Sequence, residues 1–192
     1  MRHICVYCSS SDRLSPDFYE IGAEFGRTLA QRGHVLVYGG GTNGIMGAVA
    51  RGVKAGGGRV VGVIPVFMKE LELEFREADE LISVTTMRER KQTMEEMSDA
   101  FVALPGGWGT LEEVMEILVL RQLQRHEKPT VFFNHAGYYE HLLAFFEHMI
   151  SERFGRPATR SCFAVRDTVP GVLDYLEDYK PTPPDHPWFI TR

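Results

Sequence analysis

Residues 105–113 read Pro-Gly-Gly-Trp-Gly-Thr-Leu-Glu-Glu and follow the apolar run Asp99-Ala-Phe-Val-Ala-Leu104. Gly106, Gly107 and Gly109 remove the side chains that would hold an anion away from backbone N–H groups. A helix opening at this point adds its unpaired donors and the positive end of its dipole, so the segment suits a phosphate. Glu112 and Glu113 are expected in the first turn of that helix, beside the anion, where they would act on a sugar carbon or a water. A second reading competes: Thr110-x-x-Glu113 has the spacing of a capping box. Capping accounts for Thr110 and Glu113 and leaves the three glycines unexplained.

Upstream, Met87-Arg-Glu-Arg-Lys91 opens another helix with cations, where the helix dipole disfavours them, so an anion is expected to compensate. Arg88 reads as part of a solvated face with Glu89 and Glu95 or Glu96 as partners. Arg90 is the choice for a ligand contact, because a guanidinium grips phosphate or a purine edge bidentately. A third segment, Gly39-x-Gly41-x-x-Gly44, satisfies the dinucleotide fingerprint formally. The acid that should follow it at the end of the next strand is missing, since Val60–Ile64 runs into Pro65 and Val66. No nicotinamide or flavin cofactor is implied, and Gly41 and Gly44 are left as backbone contacts to a phosphate or ribose. No Gly-x-x-x-x-Gly-Lys-Ser/Thr sequence points to a nucleotide triphosphatase.

These segments need a scaffold, and the chain alternates apolar, β-branched runs with longer amphipathic ones, the pattern of βαβ units. Strands are expected at 3–8, 34–38, 59–64, 80–84, 100–104, 129–133 and 162–165, with helices at 16–32, 43–55, 87–98, 110–124, 138–151 and 169–179. The fold class is α/β: a Rossmann-like, doubly wound parallel sheet with helices on both faces, in one domain spanning 1–179. A proline-rich tail, 180–192, follows, with Trp188 and Phe189 as its anchors. Ligands of such sheets sit beyond the carboxyl ends of the strands, which would bring together the loops at 8–11, 39–47 and 105–113.

At 192 residues, 44% apolar and 24% charged, the chain is long enough for one core. A net charge of −5 with scattered basic residues excludes a nucleic-acid partner. The start Met-Arg-His-Ile-Cys-Val reads as a strand and no apolar run reaches membrane-spanning length, so a cytoplasmic protein with no membrane partner is expected. Three cysteines argue against a disulfide framework. Cys5-x-x-Cys8 has redox spacing, but positions three apart on a strand face opposite sides of a sheet. The histidines show no ligand pattern, His141 and His148 falling on one helix face at the surface or an interface, and no metal is implied.

Taken together, Tyr38-Gly-Gly-Gly-Thr-Asn-Gly-Ile-Met-Gly47, Met87–Lys91 and Pro105–Glu113 resemble, in order, the motifs of the Lonely Guy (LOG) family, cytokinin riboside 5′-monophosphate phosphoribohydrolases often mislabelled lysine decarboxylases. The resemblance runs from Cys5 to about Val165. It implies a Rossmann-like homodimer with its active site near the interface, splitting the N-glycosidic bond of a nucleoside 5′-monophosphate, a cytokinin riboside monophosphate or AMP, into free base and ribose 5-phosphate without a cofactor. It also implies that Arg90 and Glu113 are catalytic. Gly106, Gly107, Gly109 and Thr110 then hold the phosphate, while Ser9, Gly41, Gly44 and Glu112 meet the ribose or base, with Met87 and Lys91 as further substrate contacts. Arg88 and Trp108 depart from the usual family residues, and Trp108 bears on base preference. A decarboxylase would need a Schiff-base lysine in a supported pocket, and none of Lys54, Lys69, Lys128 or Lys180 lies in a motif suggesting one. The alternative from another class is a nucleotide-binding or carrier protein without turnover, which would need the phosphate loop but not the Arg90 and Glu113 pair. Apolar excess on the stretches 114–120 and 138–146 adds to the expectation of a dimer.

Overall fold

The computed structural model describes residues 1–71 and 73–181. The β-branched runs form seven parallel strands: β1 His3–Tyr7, β2 Val35–Tyr38, β3 Arg59–Pro65, β4 Glu80–Val84, β5 Ala100–Ala103, β6 Thr130–Phe133 and β7 Ala164–Arg166. Their order in the sheet is β4-β3-β2-β1-β5-β6-β7. The chain therefore steps outward from β1 to one edge, returns to lay β5 beside β1, and steps outward to the other. That reversal leaves a crevice beyond the carboxyl ends of β1 and β5, where the loops after β1, β2 and β5 emerge.

Among the described residues six α-helices connect the strands and a seventh follows β7: α1 Pro16–Gln31, α2 Gly44–Ala55, α3 Val66–Glu70, α4 Met87–Glu96, α5 Trp108–Gln122, α6 Glu140–Ser151 and α7 Val169–Asp178. Central strands buried on both sides need cover on both. On one face Phe25 and Leu29 of α1, Val49 and Val53 of α2, and Val172 and Leu176 of α7 pack with Ile4, Val6 and Leu36. On the other, Met94 of α4 and Val114 and Ile117 of α5 pack with Cys5, Val37 and Phe101, with Leu142, Leu143 and Phe146 of α6 joining them. Cys5 and Cys8 belong to these opposite faces, as strand geometry requires, and all three cysteines are free and buried. Burial pushes the Cys5 thiol up to about 12.

The strands and all six expected helices are present. The short α3 is the addition: it follows Pro65 in a segment that crosses back over the glycine loop, with Thr42 N donating to Leu73 O and Phe75 N to Gly40 O. No helix among the described residues is long and apolar enough to cross a membrane. The tail anchors Trp188 and Phe189 lie outside the described residues.

Candidate active site

The three loops close around a cleft of about 490 Å³. Ser9 comes from the loop after β1, Gly39, Gly41 and Thr42 from the loop after β2, Met87 and Arg90 from α4, and Gly107, Trp108, Gly109, Thr110, Glu112 and Glu113 from the start of α5.

Three helix N-termini border this cleft, and they differ: that of α4 is capped by Thr86, whose hydroxyl accepts from Glu89 N. Asp12 Oδ1 accepts a hydrogen bond of 2.8 Å from Gly44 N, so the start of α2 already carries an internal carboxylate. The start of α5 carries none: Gly107 is its N-cap, no side chain caps it, and its first turn holds no acid. The anion-binding end is therefore that of α5. This corrects the capping-box reading of Thr110 and Glu113. The helix begins three residues earlier than the box requires, because Gly107 supplies the extended backbone of the cap and its carbonyl accepts from Leu111 N at 3.0 Å. Thr110 lies within the first turn and is buried, and Glu112 and Glu113 fall in the second turn rather than the first.

Glu113 points inward and is only 5% exposed. Its partner is Arg90, 4% exposed, whose Nη1 stands 3.2 Å from Glu113 Oε1. The pair is close but not aligned as a hydrogen bond, and the buried Oε1 has no hydrogen-bond partner among the described residues. Burial raises the pKa of Glu113 above the ordinary carboxylate range; the charges of Arg90 and Lys91 oppose the rise, and those of Glu112 and Glu116 add to it. Arg90 is itself fixed at the ends of two strands, its Nε donating to Val63 O at 3.1 Å and its Nη2 to Gly39 O at 3.3 Å. The anion expected to compensate the cations of α4 is thus supplied from within the chain. Thr86 caps α4, accepting from Glu89 N, while Glu89 accepts from Thr85 N instead of serving Arg88.

Three expected substrate contacts lie outside the cleft lining. Lys91 turns to Glu112 and Glu116, 2.8 Å from the latter, along the outer face between α4 and α5. Gly44 donates to Asp12 with φ of 62°, and a Cβ there would sit 2.5 Å from the carbonyl carbon of Ser10, so its place is the packing of two loops. Gly106 backs onto Thr110 and lines a smaller neighbouring cavity, with its carbonyl accepting from Tyr138 Oη at 2.8 Å. Ser9, Gly41, Met87, Gly107, Gly109, Thr110, Glu112, Arg90 and Glu113 line the cleft together.

Sequence reasoning missed the apolar wall formed by Met46, Met68 and Leu73. Met46 was in view as part of the glycine motif, but nothing in the sequence indicated that the segment after β3 folds back to deliver Met68 and Leu73. It also missed Tyr138, which holds the α5 loop from behind.

A family model described as "Possible lysine decarboxylase" matches residues 46–176. A probable cytokinin riboside 5′-monophosphate phosphoribohydrolase of rice, LOGL5, is 42% identical over 184 residues, covering 96% of this chain and 75% of the relative. The enzyme LOG3 of Arabidopsis thaliana, with the same name for its activity, is 39% identical over 180 residues, 94% of this chain and 84% of its own. The chain belongs to the LOG family. Among solved structures, the structural-genomics protein TM1055 superimposes with a TM-score of 0.72 at 22% identity, over 93% of this chain and 100% of that one. The molybdenum cofactor carrier protein of Chlamydomonas reinhardtii does so with 0.70 at 24%, over 91% and 95%. At such identities these two show the shared fold alone. Within the LOG family, the decarboxylase description does not fit the lysines here. None lines the cleft among the described residues, and Lys54, Lys69 and Lys128 are engaged by Asp79, Ser83 and the Glu95 carbonyl.

Proposed function

We propose that the cleft hydrolyses the N-glycosidic bond of a nucleoside 5′-monophosphate, releasing the free base and ribose 5-phosphate. The observation that carries this reading is the buried Arg90 and Glu113 pair set in the same cleft as the uncapped start of α5. The N–H groups of that first turn, with Thr110, take the 5′-phosphate, and its binding energy orients the ribose. As the bond from C1′ to the base nitrogen breaks, its electron pair leaves with the base and positive charge grows on the ribose. The ionised Glu113 stabilises that charge and accepts a proton from the water whose oxygen bonds to C1′; the base nitrogen takes up one proton from solvent to leave as the neutral base, and Glu113 returns its proton to solvent. Arg90 favours the ionised form of Glu113 against the effect of burial.

Met46, Met68, Leu73 and Met87 give the cleft an apolar side for the base, which suits a purine carrying an apolar substituent. A cytokinin riboside 5′-monophosphate is the substrate proposed, with AMP as the plain analogue. A nucleotide carrier would use the same phosphate site but has no need of a carboxylate whose ionised form is costly to bury. Incubation with nucleoside monophosphates, nucleosides and lysine, followed by chromatography, tests the proposal: free base from the monophosphates supports it, and loss of lysine or tight nucleotide binding without products refutes it.

The assembly proposed is a homodimer in the cytoplasm, where free cysteines persist. Three observations support the dimer: α6 contains no buried residue, Val119, Phe145 and Phe154 are exposed beside an apolar groove between α5 and α6, and Trp108, 91% exposed, stands at the rim of the cleft. Light scattering at micromolar concentration should give about twice the chain mass of 21.7 kDa; a fully active monomer would remove the dimer.

A further inference from the structure

We infer that Gly39 is a positioning residue for the reaction, present as glycine because the guanidinium of Arg90 occupies the space that any side chain would take. The inference rests on the reading of Arg90 as the partner of Glu113, and extends it to the backbone that holds Arg90 in place.

Three observations meet at this residue. A Cβ built on Gly39 would lie 1.7 Å from Arg90 Nη2, 2.9 Å from Cζ and 3.4 Å from Nε, and these are its three nearest neighbours outside the adjoining residues. Separations below 3 Å cannot be held, so Arg90 would have to move. Gly39 also lacks the positive φ that the structure gives its neighbour Gly40, at 75°, so alanine at 39 meets no left-handed backbone strain. Lastly, Gly39 contributes its carbonyl, which accepts from Arg90 Nη2, while Val63 O accepts from Nε. The carboxyl ends of β2 and β3 thus form a planar cradle, and the guanidinium lies against the Gly39 backbone with Nη1 left to face Glu113.

An alanine methyl at 39 would push the guanidinium out of this cradle. Arg90 cannot leave this cradle without giving up its bonds to Val63 O and Gly39 O and changing the 3.2 Å separation of Nη1 from Glu113. The consequence falls on the chemical step. The phosphate site at the start of α5 is built from separate residues, so substrate capture should persist while turnover falls.

The test is a double-mutant cycle with free-base release from a nucleoside 5′-monophosphate as the readout. Gly39→Ala should lower kcat by about 10²-fold, the scale of an ångström-level misplacement, with KM changed by less than about threefold. In an Arg90→Ala background the same substitution should cost no further activity, because the group it displaces is gone. Arg90→Lys, which lacks Nη2, serves as the background if Arg90→Ala does not fold.

The acid limb of the rate profile should also move to higher pH in Gly39→Ala, since a displaced guanidinium no longer holds Glu113 down. Glu113 is faced by Arg90 and Lys91 of α4, by Glu112 and Glu116 of its own helix, and by Cys5, Tyr7 and Cys8 at β1, whose burial keeps them protonated; only Arg90 moves. Independently of activity, the Arg90 Nε–H resonance, bonded to Val63 O, should shift in the ¹⁵N spectrum of Gly39→Ala. Wild-type kcat in Gly39→Ala, an unshifted Arg90 resonance, or an equal loss in both backgrounds would overturn the inference. Full activity in Arg90→Lys and Arg90→Ala would instead overturn the role of Arg90 itself.

Discussion

Replacing Glu113 by glutamine removes one charge and little else, so its effect can be worked from the geometry. A carboxylate in contact with the ribose, at ~4 Å and an effective dielectric of ~20, stabilises a full positive charge by about 4 kcal/mol. Arg90 Nη1, 3.2 Å from the carboxylate, stays in place in the variant and opposes the charge equally before and after the substitution, so it drops out of the difference. A loss of about 4 kcal/mol is a factor of about 10³ in rate. Loss of the proton acceptor for water adds a general-base effect, so the combined fall should be at least about 10³-fold. The assay is single-turnover release of free base, with nucleotide affinity measured separately by calorimetry. Affinity should stay within a few-fold, because the start of α5 is untouched. A variant that cleaves at near wild-type rate refutes the role of Glu113. A variant that binds no nucleotide refutes the separation of phosphate site from acid.

Other outcomes follow from the same geometry. Arg90→Ala should cost more activity than Lys91→Ala, since Arg90 lines the cleft and is buried against Glu113, while Lys91 lies outside the lining and pairs with Glu112 and Glu116; steady-state kinetics on both variants decides it, and the reverse order contradicts the assignment. The acid limb of kcat/KM should lie above the ordinary carboxylate value of 4.5, because burial raises Glu113, and Glu112→Gln should move it down. A raised carboxyl pKa stabilises the fold most below 4.5 and loses that contribution as pH rises through the folded value, so thermal stability should fall over the window in which activity rises, and Glu113→Gln should flatten that fall. Tyr138→Phe, which deletes the hydrogen bond to Gly106 O, should raise KM for the nucleotide about three- to tenfold with kcat little changed. Asp12→Ala should destabilise α2 by ~1 kcal/mol, seen as a drop of about 2–4 °C in Tm.

The sheet was legible because its signal is local. The central strands are short apolar runs buried on both sides, and most of the longer helices carry an amphipathic period, though α5 carries almost none. The placement of Arg90 and Glu113 in one cleft was also readable, since strand-end loops of a doubly wound sheet converge. What escaped depends on contacts between distant segments. The capping box at Thr110 is a local pattern defeated by Gly107, whose extended backbone starts the helix earlier. Lys91 read as a ligand contact because its neighbour Arg90 was one, yet a single helical step turns it to Glu116. Gly44 looked like part of a phosphate loop, and only the fold reveals Asp12 filling that position. The Met68 and Leu73 wall comes from a segment with no strong period of its own, held by two backbone hydrogen bonds to the glycine loop.

The central claim is that this cleft breaks a nucleotide at its glycosidic bond and depends on the 5′-phosphate to do so. Its most direct test is the rate of free-base release from a 5′-monophosphate and from the matching nucleoside, with both products quantified. The account predicts equimolar base and ribose 5-phosphate from the monophosphate, at a kcat/KM at least about 10²-fold above that for the nucleoside, as expected when phosphate binding energy orients the ribose. Equal cleavage of the nucleoside, or release of inorganic phosphate with the glycosidic bond intact, would contradict it.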